Sequence, residues 1–271
     1  MKKIEIYCMT IKNLNLLNKL PKNIIPLGLG EEIYPNNWLN EKEGENISHL
    51  NKYFGEATGI YWIWKNKIRE YSANDWIGTC QHRRLWLNDL LNKKQKTSYL
   101  SLFSQLIKNE NNIFDNCESV LLQPTLFKKD TVQEQFQKNY GSEVLEDCIN
   151  LLDIKHRKDF SNYLQGYKMS ICNMFITKPE IYEKYCIDMF DWIFKCFNYC
   201  QEKNLQTGKN MRLPIFLIER FTSFWYEKHT KVSYLSFARL GNFFLSNRVN
   251  KLINPLKVPF TFRIYPTIHK F

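Results

Sequence analysis

The chain has no cysteine pair at CxxC spacing and no histidine at a zinc-finger offset from such a pair, so no structural zinc site is expected. Its eight cysteines (Cys8, Cys80, Cys117, Cys148, Cys172, Cys186, Cys196 and Cys200) read instead as reduced thiols, most of them core residues, in a reducing cytoplasm. No leader is expected, because Met1-Lys2-Lys3-Ile4-Glu5 runs straight into a strand pattern. No apolar run approaches the roughly 20 residues that cross a bilayer as a helix. No internal repeat and no Gly/Ser-rich linker divides the chain. GxGxxG, the P-loop, GxSxG and HExxH are all missing, and with them the common dinucleotide, NTPase, hydrolase and metalloprotease signatures. Asp-x-Asp is missing too, and no acidic residue follows Glu227.

What is present is a chain of 271 residues, 44% hydrophobic and 24% charged, enough to bury a sizeable core in one large domain or two small ones. The formal net charge of +11 suits a polyanionic partner, whether nucleic acid, an anionic membrane or a phosphorylated substrate; a lysine-rich surface without a target is the alternative. Residues 3–10 (KIEIYCMT) alternate and are β-rich, which predicts a first strand, with a second at 24–29. The polar run 40–46 (NEKEGEN) predicts a surface loop. Ser48 stands as an N-cap ahead of a helix over 53–68, where Ala57, Ile60, Tyr61 and Trp64 recur at helical spacing. Short buried strands are predicted at 76–80 (WIGTC), 119–123 (SVLLQ) and 169–177 (MSICNMFIT). Helices are predicted at 131–140, 141–152, from Pro179 to about 200, and 213–228. The lysine-rich stretch 90–112 reads as a mobile or helical insertion. Strands alternating with helices argue for a layered α/β domain with a mixed or parallel sheet.

The polar residues that stand out lie in two blocks. Residues 45–86 carry Asn46, Ser48, Asn51, Glu56, Thr58, Lys65, Asn66, His82, Arg83 and Arg84 among many aromatics. Glu56 and Thr58 interrupt an apolar helix pattern, and buried polar groups need partners. The second block joins residues 172–178 (CNMFITK) to 212–226 (RLPIFLIERFTSFWY), where Glu219-Arg220 sits in a strongly apolar helix.

In these blocks the chain resembles a family of bacterial capsular-polysaccharide and exopolysaccharide glycosyltransferases first catalogued as a domain of unknown function, some of them assigned as galactofuranosyltransferases. The residues that carry the resemblance are Asn46-Ile47-Ser48, Asn51, Glu56, Thr58, Tyr61-Trp62, Trp64-Lys65-Asn66, Ile77-Gly78, Cys80, His82-Arg83-Arg84, Asn173-Met174-Phe175-Ile176, Arg212 and Glu219-Arg220. Gln81 stands where the family has His, and His82 where it often has Tyr. Leu213-Pro214-Ile215 replaces a Gly-containing turn.

The resemblance implies a GT-A-like fold over residues 1–227: a Rossmann-type mixed sheet flanked by helices, with the nucleotide at the C-terminal ends of its strands. Residues 228–271 would form a basic, aromatic, helical C-terminal tail. It would lie on the cytoplasmic face of an anionic inner membrane, each Lys or Arg contributing about 1 kcal/mol, or else pack back on the domain. The implied reaction moves a sugar from a nucleotide-sugar donor, UDP-linked with UDP-galactofuranose as a candidate, to a growing capsular, exopolysaccharide, lipopolysaccharide or lipid-linked glycan. Donor-binding candidates are Thr10, Asn46, Ser48, Asn51, Thr58, Lys65, His82, Arg83 and Arg84. Glu219 and Glu56 are the candidate catalytic carboxylates, the first alternatively a buried ion pair and the second a hydrogen-bond acceptor. Asn173, Arg212 and Arg220 are candidates for the acceptor or sugar. Many nucleotide-sugar enzymes hold a divalent ion on Asp-x-Asp; without it the diphosphate falls to arginine and lysine, although a lone carboxylate or His82 could still hold manganese or magnesium. No cofactor is fixed by the sequence, manganese or magnesium being the candidates, and no nucleic-acid partner is expected. A nucleic-acid-binding protein, suggested by charge alone, and a non-catalytic membrane scaffold are the competing readings.

Overall fold

The computed structural model describes residues 2–88, 104–109, 111–240 and 263–265. Strand β1 (Ile4–Thr10) is buried along nearly its whole length, because it is flanked on both sides within the sheet and covered on both faces. Such a strand needs apolar side chains in both directions, and Ile4, Ile6 and Cys8 point into one core while Tyr7 and Met9 point into the other. Next come β2 (Ile24–Gly28) and the short β3 (Leu39–Asn40), both parallel to what precedes them.

The helix expected over 53–68 is broken in two, α1 (Asn51–Phe54) and α2 (Ala57–Asn66). The break is at Gly55, whose φ of +52° suits glycine and where an added Cβ would stand 2.5 Å from Arg212 Nη2. Ser48 opens a 3-10 turn and caps nothing; its hydroxyl donates to Asn46 Oδ1 at 2.7 Å. Strands β4 (Trp76–Gln81) and β5 (Arg84–Trp86) follow, then β6 (Ser119–Leu122) and β7 (Thr125–Leu126). Of the insertion expected over 90–112, residues 90–103 and 110 lie outside the described residues; Leu106 bridges to Leu87. Helix α3 (Val132–Tyr140) starts on a capping box between Thr131 and Glu134. It is followed by α4 (Ser142–Asn150) and α5 (Ile154–Leu164). The expected strand over 169–177 is two, β8 (Lys168–Met169) and β9 (Phe175–Thr177), parted by a tight turn. Helix α6 (Pro179–Glu202) begins with Pro at its first turn, where no N–H is missed. Helix α7 (Leu213–His229) completes the helical layer.

The sheet order is β10-β6-β9-β4-β1-β2-β3, with β10 at Val232–Leu235. All these neighbours pair in parallel except β9, which runs antiparallel to both β4 and β6. Off this path β5 pairs with β11 (Phe237–Arg239), and β11 with β12 (Arg263–Tyr265). The expectation of a helical tail is therefore corrected for residues 232–235, 237–239 and 263–265, which are strand: β10 lies on the open edge of β6, where its backbone groups find ladder partners. Residues 241–262 and 266–271, on which the rest of that expectation falls, lie outside the described residues. The expected boundary after residue 227 thus precedes a strand of the central sheet.

Helices α1 to α7 cover one face of the sheet around a large aromatic core. A smaller cluster with Trp76, Trp86, Phe114 and Leu16 covers the other. From β1 the chain crosses to β2 on one side and, after β3, returns through α2 to β4 on the other. The order reverses at β1, and in an open α/β sheet such a switch point is where a ligand crevice is expected, outside the C-terminal ends of the strands, here β1 and β4. Gly78, in the middle of β4, pairs with Ile176 of β9, and a Cβ there would stand 2.9 Å from the backbone oxygen of Phe175 and 2.7 Å from Ile176 Cγ1. Backbone cannot yield as a side-chain tip can. Gly78→Ala is expected to cost about 1–3 kcal/mol, seen as a lower thermal midpoint; an unchanged midpoint would mean that the β4–β9 seam is looser than described.

Candidate active site

The crevice is floored by the turn between β8 and β9. Cys172 (φ +80°) and Asn173 (φ +47°) adopt the left-handed region in succession, although neither is glycine. Each such residue costs on the order of 1 kcal/mol or more and persists only where its surroundings hold it. Cys172 N donates to Glu219 Oε1 at 2.5 Å, and Cys172 O accepts from Gln81 Nε2 at 2.9 Å. Asn173 O accepts from Thr79 Oγ1 at 3.1 Å, and Asn173 Oδ1 from Thr222 Oγ1 at 3.2 Å. Tyr185 OH lies 2.6 Å from the same Thr222 hydroxyl. Helices α6 and α7 thus set the turn from behind.

The turn presents Asn173 to Glu56, which sits in the junction between α1 and α2. Glu56 Oε1 accepts from Gln81 Nε2 at 3.0 Å and from Asn173 Nδ2 at 3.3 Å, and Oε2 lies 3.7 Å from Arg212 Nη2. Burial pushes the Glu56 carboxyl up; its own backbone amide, Arg212 and Asn173 draw it down, and Glu219 adds to the rise. Gln81 is fully used: Oε1 accepts from Arg84 Nη1 at 2.5 Å while Nε2 serves Glu56 and Cys172. Arg84, Gln81 and Glu56 therefore form one chain of hydrogen bonds across the edge of the sheet. The edge is cationic: Lys12 follows β1, Arg83 and Arg84 follow β4, Arg239 pairs in register with Arg84, and Arg212 is half-exposed. Among the described residues no three His, Cys, Asp or Glu side chains converge as metal ligands.

Of the residues singled out in the sequence, Glu56, Asn173, Arg212, Glu219 and Arg84 are gathered at this edge. His82 and Thr10 stand side by side at the ends of β4 and β1, His82 N donating to Met9 O at 3.1 Å. Thr10 is buried and its hydroxyl is spent on its own turn, accepting from Lys12 N at 3.0 Å and donating to Lys12 O at 2.8 Å. Arg83 is exposed.

Others are engaged elsewhere. Asn46 Oδ1 accepts from Ser48 N and Oγ, and its amide donates to Gly44 O, so this pair shapes its own loop. Lys65 lies about 13 Å along α2 from Glu56, 3.8 Å from the Trp64 ring centre and 3.5 Å from Glu45. Asn51 and Thr58 bond to each other and to Gly55 O. Arg220 is buried in the helical layer, donating to Phe216 O and Gln135 Oε1 and lying over the Phe136 ring. Gln135 and the Phe136 ring reach it only in tertiary structure. Sequence reasoning missed Gln81 as a site residue and Glu41 altogether. Gln81 shows one signal, a polar residue closing an apolar strand; Glu41 lies in a polar run read as surface loop and yet is fully buried.

A family model described as "Domain of unknown function (DUF4422)" matches residues 5–230. No curated protein matches the chain. Among solved structures, the apo structure of the WbbM bifunctional glycosyltransferase superposes with a TM-score of 0.69 at 18% identity, covering 89% of this chain. The chain spans just under half (46%) of that one. At this identity the likeness speaks for the fold, a mixed sheet flanked by helices.

His82 gives this edge a pH signature. It is 8% exposed and its Nε2 is buried with no hydrogen-bond partner among the described residues. Burial above all, with Arg83 next, pushes its imidazole down to about 4. The unfolded chain therefore takes up a proton near pH 6.5 that the folded chain refuses until about pH 4. The stability contributed by neutral His82 is present above pH 6.5 and is lost as pH falls toward 4. Thermal midpoints of His82→Asn should fall less steeply than wild type over that window; parallel curves would show that His82 titrates normally.

Proposed function

The chain belongs to the DUF4422 family, and from that premise we propose that it transfers a glycosyl group from a nucleotide-sugar donor to a glycan hydroxyl. The observation that carries this reading is the Glu56 carboxyl, held at the β1/β4 crevice by Gln81 and Asn173, with Arg212 3.7 Å away and Arg84 joined to it through Gln81. Glycosyl transfer needs an acceptor for the proton of the attacking hydroxyl and cations for the charge that gathers on the departing diphosphate. Glu56 suits the first role. Burial raises its affinity for a proton, while Arg212 favours the ionised form that must receive it. Arg84 suits the second, with Arg83 and Lys12 beside it. A guanidinium pairs two phosphate oxygens at once, and Arg84 has no carboxylate at ion-pair distance among the described residues. Glu219 is assigned to holding the Cys172 amide rather than to the proton.

The solved structure of similar fold is named a glycosyltransferase, which supports the same class of reaction. A uridine diphosphate donor, with galactofuranose the first sugar to test, and a growing capsular, exopolysaccharide or lipopolysaccharide acceptor complete the proposal. No helix of the described residues is long and apolar enough to cross a membrane. The basic residues after Glu227 suit attachment to an anionic membrane surface.

Glu56→Gln keeps the size of the side chain and one acceptor oxygen but removes the proton acceptor. It is expected to lower the turnover of the donor that proves active by about 10²- to 10⁴-fold, with nucleotide affinity unchanged by titration calorimetry. Equal turnover in the variant would remove Glu56 from the chemistry.

A further inference from the structure

A second cavity lies at the pole of the sheet opposite the crevice, where β4 begins, β9 ends and α6 starts. Its volume is about 460 Å³, room for a small metabolite. Trp76 and Phe114 pack in its wall with ring centres 4.6 Å apart. Lys178 Nζ lies 4.5 Å from the Trp76 ring centre, and Lys2 Nζ lies 5.3 Å from that of Phe114. Ser72, Asn74, Asp75 and Asp115 complete the lining.

The donors in this lining outnumber the acceptors that take them. An ammonium has three N–H donors. Lys178 places one on Asn74 O at 3.0 Å, and Lys2 places one on Asp115 Oδ1 at 3.0 Å. Asp75, the buried carboxylate, is already engaged at both oxygens. Its Oδ1 accepts from Lys3 N at 3.0 Å, and its Oδ2 accepts from Ser72 N at 2.9 Å and Ser72 Oγ at 2.7 Å. Asp115 is exposed and paired with Lys2.

Trp76 adds a donor of a different kind. It is fully buried, and its Nε1 has no hydrogen-bond partner among the described residues. The other buried tryptophans all donate: Trp38, Trp62, Trp86, Trp192 and Trp225 each reach an oxygen at 2.5 to 2.8 Å. A buried indole N–H is ordinarily paired. The exception stands in the wall of a cavity that holds two ammoniums, and it marks a missing acceptor. Burial above all, with Lys2 next, draws the Lys178 ammonium below its usual range. An anion between the two lysines relieves the part that Lys2 contributes. Helix α6 begins at the same place with no side-chain cap, and the dipole of its 24 residues favours the same charge.

We propose that this cavity binds a phosphate group, free or carried by a small metabolite, through Lys2, Lys178 and the Trp76 indole N–H. Three separate donor groups call for acceptor oxygens in different directions. A phosphate monoester has three such oxygens, whereas a carboxylate has two in one plane. Strand β4 separates this site from the crevice, with Trp76 at one end and Gln81, the partner of Glu56, at the other. The site stands whether or not the crevice transfers sugar.

The test titrates inorganic phosphate and glucose 1-phosphate into the nitrogen-labelled full chain at constant ionic strength and follows the indole N–H signals. Trp76→Phe identifies the Trp76 signal by its loss. That signal should shift saturably, and Lys178→Gln should raise the half-saturating concentration about tenfold. Tighter binding of glucose 1-phosphate assigns the site to a phosphorylated metabolite, and equal binding assigns it to free phosphate. A Trp76 signal that neither compound moves overturns the site. So does a shift that is the same in wild type and in the double variant Lys2→Gln/Lys178→Gln. If Trp76→Phe does not fold, the thermal midpoint decides. Phosphate should raise it in wild type and equally in Arg84→Ala, whose crevice lacks a cation, and should raise it less in the lysine double variant. An equal rise in all three proteins, or a rise lost only in Arg84→Ala, overturns the site as well.

Discussion

The crevice depends on a turn that its own residues disfavour. Cys172 and Asn173 both hold left-handed backbone conformations without being glycine, and they do so because four side chains from two elements bind them: Glu219 and Thr222 of α7, and Thr79 and Gln81 of β4. Released from those bonds the turn would relax, and Asn173 would withdraw from Glu56. The constraint runs outward from there. Gln81 can serve the turn because β4 pairs with β9, which the turn leads into, and Glu219 reaches Cys172 from α7, which packs along α6.

The reversed strand gives this arrangement its logic. Because β9 runs against β4 and β6, its beginning, rather than its end, lies at the C-terminal edge of the parallel strands. The loop before it therefore enters the crevice beside the loops that follow β1 and β4. The carboxylates come to that edge from the helical side, Arg83, Arg84 and Arg239 come from the strands, and Arg212 from the turn that opens α7. Glu56 is thereby within reach of a cation without a tight ion pair that would spend it: Arg212 Nη2 stands at 3.7 Å, on a half-exposed side chain, and Arg84 connects to it through Gln81.

Much of this could be read in the sequence where burial on both faces leaves unbroken apolar runs. β1, β4 and β6 fall where WIGTC, SVLLQ and their like occur, and Pro179 marks the first turn of α6. The break at Gly55 was not legible, since its reason is the approach of Arg212 from 157 residues further on. Helix α5 was missed because IKHRKDFSNYL looks solvated; its buried residues are His156, Phe160 and Leu164. The strands at 232–239 are short and exist by pairing with β6 and β5, a tertiary fact. The family resemblance pointed to Glu56, Asn173, Arg212 and Glu219, which meet in space, and equally to Asn46, Ser48 and Lys65, whose partners belong to their own loop and helix face. A motif does not distinguish a residue that touches substrate from one that shapes the backbone. Gln81, a departure from the family pattern, turns out to be the atom-by-atom connector between Arg84 and Glu56.

The central claim is that the cationic edge and Glu56 receive a nucleotide sugar. It is tested most directly by the thermal midpoint of the wild type and of Arg84→Ala across a panel of nucleotides and nucleotide sugars, with and without manganese or chelator. A ligand bound only by the folded chain must raise the midpoint by mass action. The account predicts that a uridine nucleotide stabilises the wild type and fails to stabilise Arg84→Ala. Stabilisation by RNA or DNA with no nucleotide effect would contradict it.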